Sequence, residues 1–219
     1  MAQSSWFRAE KLSCPHDRLG PLLLQRTCGA RTVIDVDYPK ILDLFAQHRA
    51  AGREDSVSFL IWYLENYYRL DSIESVDSVC DQPGDKGVDG IFVNENNQTI
   101  TIFQSRLYQN PASRVGDSAL RAFAGTLTQF RTPESIQALV ASAGNAQVAT
   151  LIKRLDLTNK ITTHELRGEF VTNLNVDVNG DAFVAAASEI TFIGKTLCKL
   201  LTFQTRGRYH RTLEGHLTL

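Results

Sequence analysis

Two short apolar segments joined by an asparagine-rich turn constrain the fold of this chain more than any other feature. Residues 88–93 and 99–107 each have the length of a β-strand, and residues 94–98 supply turn-forming side chains between them. An acidic, glycine-containing loop at residues 81–87 precedes the first segment. The pattern predicts an antiparallel hairpin. Polar side chains nevertheless occupy strand positions where apolar residues are expected.

Three of these polar side chains have the chemistry needed to cleave a phosphodiester. Asp89 opens the first strand, and Gln104 and Arg106 are two residues apart in the second, so their side chains share one face of the sheet. A hard divalent cation binds oxygen ligands, polarises a phosphoryl oxygen and lowers the pKa of a bound water. We expect Asp89 to be the central metal ligand, Gln104 a neutral oxygen ligand or support for the water, and Arg106 a phosphate contact.

Two further carboxylates are candidates for the same site. Asp81 is a candidate metal ligand from the loop, and Glu65, on the preceding predicted helix, joins the catalytic set if its face points inward. Simpler interpretations stay open. The loop aspartates are typical turn residues, Gln104 and Arg106 could lie on a solvated face, and Glu65 could be a solvent-exposed helix charge.

The remaining hydrophobic patterns predict an α/β fold with a mixed central sheet flanked by helices. The predicted helices are 40–51, 57–70, 117–130, 133–155 and 181–187, the further strands are 73–80 and 166–173, and residues 191–201 fit either state. Residues 1–37 are predicted to be an irregular leader, 38–204 the folded domain and 205–219 a polar tail.

The composition indicates the cellular compartment more clearly than it indicates a binding partner. The net charge of -1 gives no global argument for nucleic-acid binding and does not exclude a local basic groove. No apolar run is long enough to span a membrane, and no secretory leader is evident. Four scattered cysteines without metal-ligand spacing favour a reducing compartment, so we expect a cytoplasmic protein.

Several segments together resemble a known family. Residues 59–71, 81–93 and 100–106, followed by 170–173, are similar to the N-terminal region of abortive-infection phage-resistance (AIPR) proteins, which belong to the restriction-endonuclease-like, PD-(D/E)xK superfamily. The resemblance covers roughly residues 56–200. Proteins of this group are longer, which would make the chain a truncated or minimal member.

The resemblance implies a restriction-endonuclease-like fold, Mg²⁺ or Mn²⁺ as the cofactor, and nuclease activity in bacterial anti-phage defence. It places Asp89 at the motif aspartate, Gln104 at the Glu/Gln position and Arg106 at the catalytic lysine position. We expect nucleic acid as the partner, DNA in the first instance, with no membrane and with a homodimer left open.

The arginine separates two functional hypotheses. Arginine is planar and always protonated, so it holds phosphate charge but is a poor proton acceptor. A nucleic-acid-binding or sensor module without catalysis is therefore the alternative to a nuclease. A third interpretation is a protein-interaction domain that docks a partner through the aromatic helix at residues 62–68.

Overall fold

A computed structural model describes residues 35–80, 87–142 and 146–196. Most of the expected leader, the candidate ligand Asp81 and the expected tail lie outside the described residues. In chain order the elements are a 3₁₀-helix (Lys40–Phe45), α1 (Ala46–Ala50), α2 (Asp55–Tyr63) continued by a π-helical turn (Leu64–Tyr68), α3 (Ser72–Asp77), β1 (Gly90–Asn94), β2 (Thr99–Arg106), α4 (Asp117–Thr128), α5 (Pro133–Ser142), α6 (Ala146–Arg154), α7 (Leu157–Lys160), β3 (Glu165–Thr172), α8 (Val178–Ala186) and β4 (Ile190–Ile193).

The strands form one mixed sheet in the order β1-β2-β3-β4. β1 and β2 are the predicted antiparallel hairpin, with Gly90 opposite Phe103. β3 returns through helices α4 to α7 and pairs parallel to β2, and β4 pairs parallel to β3. The α/β class, with a mixed sheet flanked by helices, is thus confirmed.

Both faces of the sheet are covered, and β2 shows it most clearly. Ile100 and Ile102 belong to the apolar core formed with α4 to α7, whereas Phe103 belongs to a second core formed with the 3₁₀-helix and α2. Successive side chains of a strand point to opposite faces, so a strand between two helical layers is buried along its length. β2 is accordingly buried from Thr99 to Ser105, and its last residue is exposed.

The strand predicted at residues 73–80 is wrong. The structure has helix α3 there, because Asp71 caps it and accepts hydrogen bonds from the backbone of Ile73 and Glu74, each at 2.8 Å. Glu74 completes a capping box at the helix start. Of the predicted strand, Val79 makes an isolated antiparallel bridge to Gly90.

Other predicted elements differ mainly at their ends. The helix predicted over 133–155 is two helices, α5 and α6, and the undecided segment from 191 begins as β4. Trp62 is 6% exposed and Tyr63 is fully buried, whereas Tyr67 is 42% exposed, so the aromatic side chains of this helix do not form a large exposed patch for docking. No helix among the described residues is long and apolar enough to cross a membrane.

Candidate functional site

The carboxylate of Asp89 is fixed against the neighbouring strand. Its Oδ2 accepts a hydrogen bond from the backbone N–H of Ser105 at 2.6 Å, and its own N–H donates to the carbonyl of Phe103 at 2.9 Å. Bonds to an ionised acceptor are short and strong. The carboxylate therefore lies beside the peptide bond that joins Gln104 to Ser105, half-buried at the start of β1.

Gln104 is a buried amide with one unsatisfied atom. It is 6% exposed and lies on the same face as Ile102, toward α4. Its Nε2 donates a long hydrogen bond to the carbonyl of Gly87 at 3.4 Å. Among the described residues its Oε1 has no hydrogen-bond partner. A buried acceptor without a partner typically costs about 1–3 kcal/mol, so this oxygen destabilises the folded protein.

Gly87 allows the backbone to come close to this amide. Its φ of +82° is favourable for glycine, and a Cβ there would lie 3.0 Å from Thr126 Oγ1 and 3.3 Å from Gln104 Nε2. A side chain at position 87 would be strained and would crowd both groups. The loop therefore reaches Gln104 only because this residue is glycine.

Arg106 ends β2 with its side chain exposed. Its guanidinium carbon lies 5.9 Å from the centroid of the Phe170 ring, a distance compatible with a cation–π contact. Within the described part of the chain, no carboxylate forms an ion pair with Arg106. The cation is therefore positioned on an apolar platform and remains available to an anion from solvent.

These three residues lie near the same end of the sheet, where the parallel strands stop. β2, β3 and β4 are parallel and end there, and the antiparallel β1 begins there. Asp89 directly precedes the Gly90–Phe103 pair, and its backbone N–H and its carboxylate bond to Phe103 and Ser105, the two neighbours of Gln104. In open α/β sheets the carboxyl ends of parallel strands are where ligands bind.

Glu65 is not brought to this edge. Its Oε2 lies 3.0 Å from Nε2 of buried His48, in the layer of α1 and α2. The opposite end of α2 contacts the sheet, where Ser56 accepts a hydrogen bond from the hydroxyl of Ser105 at 3.0 Å. At 1.5 Å per residue, Glu65 lies roughly 13 Å further along the helix axis, too far to share a ligand with Asp89.

A second polar cluster was missed by the sequence analysis. Glu169 of β3 accepts hydrogen bonds from the hydroxyls of Tyr63 at 2.9 Å and Tyr68 at 2.8 Å. Burial raises the pKa of Glu169, although the two hydroxyls and Arg167 act in the opposite direction. Burial, and next the Glu169 charge, raise the pKa of both tyrosines. The three groups bond the second core to the sheet.

Asn173 is a second buried amide, and it is satisfied. Its Nδ2 donates to the carbonyl of Tyr108 at 2.9 Å, and its Oδ1 accepts from the N–H of the same residue at 2.8 Å. This side chain replaces the next rung of the ladder just beyond the end of β3. It thereby holds the segment that follows Arg106.

The donor chemistry near Asp89 suits a hard cation. Mg²⁺ is commonly held by one or two carboxylates together with waters and substrate phosphates. The carboxylate of Asp89 and the unsatisfied Oε1 of Gln104 are both hard oxygen donors. Within residues 35–80, 87–142 and 146–196, no group of three or more His, Cys, Asp or Glu side chains could hold a metal ion.

No protein-family model, curated protein or solved structure matches this chain. The fold defines an α/β protein with a four-stranded mixed sheet and polar side chains gathered at the carboxyl edge of its parallel strands. Its function is therefore inferred from the contacts of Asp89, Gln104 and Arg106.

Proposed function

We propose that the protein is a metal-dependent endonuclease with a restriction-endonuclease-like domain, acting on nucleic acid, DNA in the first instance, in bacterial anti-phage defence. The observation that carries the proposal is the position of the Asp89 carboxylate. It accepts a hydrogen bond from the N–H of Ser105, the residue that separates Gln104 from the exposed Arg106 in β2. A carboxylate, a neutral oxygen and a cation within one hairpin form a minimal set for holding a phosphodiester.

Each residue has a defined task in this proposal. Asp89 and Gln104 would hold Mg²⁺ or Mn²⁺, which when bound polarises a phosphoryl oxygen and lowers the pKa of water. Arg106 contacts the scissile phosphate and stabilises charge that develops on it, with Phe170 orienting the guanidinium from below. Because the guanidinium stays protonated, Arg106 acts as a charge and not as a base.

The order of elements supports the same proposal. The β1–β2 hairpin is followed by a helical crossover and a returning parallel strand, the arrangement expected for a restriction-endonuclease-like core. The crossover also supplies the apolar core of α4 to α7, and the buried Gln104 side chain lies on that face of the sheet. A buried oxygen without a partner among the described residues, in the residue next to the one that binds Asp89, is more consistent with a ligand site than with a structural role alone.

The test is a cleavage assay on plasmid and single-stranded substrates with Mg²⁺ or Mn²⁺. Asp89→Asn keeps an oxygen acceptor for the Ser105 N–H and removes the charge, so the hairpin is preserved while metal binding is weakened. Asp43→Asn, an identical change at an exposed position of the 3₁₀-helix, is the matched control. We expect metal-dependent cutting by the wild type and the control, reduced at least a hundredfold in Asp89→Asn. Equal cutting by all three proteins would sink the proposal.

A nucleic-acid-binding or sensor module is the second candidate. It is favoured by the exposed Arg106 guanidinium, which holds phosphate without chemistry, and by the lack of a three-residue acidic or histidine cluster among the described residues. Arg106→Lys separates the two, because lysine can titrate and orient water. Binding without cutting in the wild type, with cutting restored by Arg106→Lys, would identify a decayed enzyme.

A further inference from the structure

A cavity opens beside the candidate site, at the carboxyl ends of β3 and β4. Its volume is about 420 Å³, within the usual range for sites that hold small ligands. The ring of Phe192 lines it together with polar side chains, among them Arg114, Asn175 and Asp181. Nothing in the roles proposed for Asp89, Gln104 and Arg106 uses this cavity.

The cavity is connected to the phosphate contact by one row of side chains. In the register of the sheet, Gln104 lies opposite Phe170, and Phe170 lies opposite Phe192. The two phenylalanine rings stack with centroids 6.0 Å apart and planes 15° apart. Arg106 lies over the first of these rings. Two strand spacings place Phe192 roughly 10 Å from Gln104.

Phe192 is held in place by a close backbone approach. A Cβ at Gly194 would lie 2.5 Å from the Phe192 Cε1 and 2.7 Å from the carbonyl of Leu174. Because position 194 is glycine, the Cε1 side of the Phe192 ring can lie this close to the backbone. The cavity consequently has a fixed aromatic wall, which suits a flat ligand better than a flexible apolar one.

The polar wall carries both donors and acceptors. Within the described part of the chain, the exposed carboxylate of Asp181 has no hydrogen-bond donor. The Oδ1 of Asn175 lies 3.3 Å from the Thr196 hydroxyl, which leaves its Nδ2 to donate. Arg114 makes only a long contact, at 3.5 Å, to the carbonyl of Val176. A carboxylate accepts hydrogen bonds from the exocyclic amino groups of bases, and an amide N–H donates to their ring nitrogens or carbonyl oxygens.

We propose that this cavity holds an unpaired nucleobase next to the phosphate at Arg106, and that it prefers bases with an exocyclic amino group, such as cytosine, over thymine. The proposal rests on the function proposed above and extends it to single-stranded or locally opened substrate. Phe192 stacks on the base, Asp181 accepts from its amino group, and Asn175 contacts its ring edge. Stacking on an aromatic side chain is available only to a base removed from the duplex.

Saturation-transfer NMR and titration with mononucleotides test the cavity without requiring cleavage. The probes are deoxycytidine 5′-monophosphate, thymidine 5′-monophosphate and 2-deoxyribose 5-phosphate. We expect Phe192→Leu to weaken both nucleotides at least about fivefold, the lower limit for loss of one stacked base. We expect the exposed Asp181→Asn to abolish the preference for cytidine, and the matched Asp43→Asn to change nothing.

The outcomes separate this inference from the proposed function. If the sugar phosphate binds as tightly as the nucleotides, or if neither Phe192→Leu nor Asp181→Asn changes nucleotide binding in folded protein, the base subsite is overturned. Cleavage that depends on Asp89 would in that case still support the nuclease. Nucleotide binding that requires Phe192, in a protein that neither cuts nor binds oligonucleotides, would support the subsite and reject the nuclease.

Discussion

Replacing the buried amide of Gln104 with a side chain of similar shape should stabilise the protein. Gln104→Met removes an acceptor that no described residue satisfies and fills the same space with apolar atoms. Most substitutions of buried residues destabilise, so the expected sign is unusual. It follows directly from the unsatisfied oxygen and not from the identity of the new residue.

The change in the free energy of unfolding for Gln104→Met is the difference between two opposing effects. Removing an unsatisfied buried acceptor recovers about 1–3 kcal/mol, and losing the 3.4 Å bond to the Gly87 carbonyl costs about 0.5 kcal/mol because the bond is long. The net gain should be about 1 kcal/mol in the free energy of unfolding. For a domain of this size that corresponds to a Tm higher by about 2–4 °C.

Urea denaturation in EDTA, followed by circular dichroism, measures the change. Asn173→Leu is the matched control, because that amide is buried with both ends bonded to Tyr108 and its loss should cost about 2–3 kcal/mol. Added Mg²⁺ should stabilise the wild type by mass action and leave Gln104→Met unchanged. A Gln104→Met protein that is destabilised by more than about 1 kcal/mol would refute the reasoning.

Three further substitutions test other parts of the fold. Because the pKa of Glu169 is raised, the folded protein holds a proton that the unfolded chain has released. Wild-type stability should therefore fall as pH rises from about 4.5 through the folded pKa. Glu169→Gln should reduce the difference in Tm between pH 5 and pH 8. Asp71→Ala removes the cap of α3 and should cost about 1 kcal/mol in urea denaturation, whereas an unchanged midpoint would contradict the capping assignment. Glu65→Gln should leave any metal-dependent cleavage within about twofold of wild type, because this carboxylate is paired with His48; a large loss would place it in the catalytic set after all.

The hairpin was predictable because its pattern is local. Alternating apolar residues and an intervening polar turn identify β1 and β2 before any tertiary contact is known, and the two-residue spacing of Gln104 and Arg106 places them on one face. Asp89 directly precedes the first paired residue of β1, so the hairpin also brings it next to the end of β2. This part of the candidate site depends on the pairing of two strands that are close together in the sequence.

Helix α3 shows where local apolar content misleads. Ile73, Val76 and Val79 suggest a strand, but the polar pair Asp71 and Glu74 caps a helix start and decides the conformation. Capping is worth about 1 kcal/mol in a short segment, comparable with the strand preference it overrides. A search for the Asp-x-x-Glu spacing would have found it.

Glu169 could not have been located from its own segment. A glutamate in an alternating strand is normally assigned to the solvent side, and β3 alternates exposed and buried residues at its start. Its burial depends on tyrosine hydroxyls about a hundred positions earlier in the chain. Sequence patterns in one strand do not encode which helix will cover it.

The two halves of the candidate site are formed by contacts of very different sequence separation. The Asp89 and Gln104 half of the edge depends on a hairpin closed by residues 95–98, whereas the Phe170 platform under Arg106 arrives only after the crossover at residues 107–164. Local contacts form quickly, and parallel pairing across a long connection is slow. The anion-binding half should thus form last, so a newly made chain would pass through a stage with Asp89 and Gln104 in place and Arg106 still without the Phe170 ring beneath it.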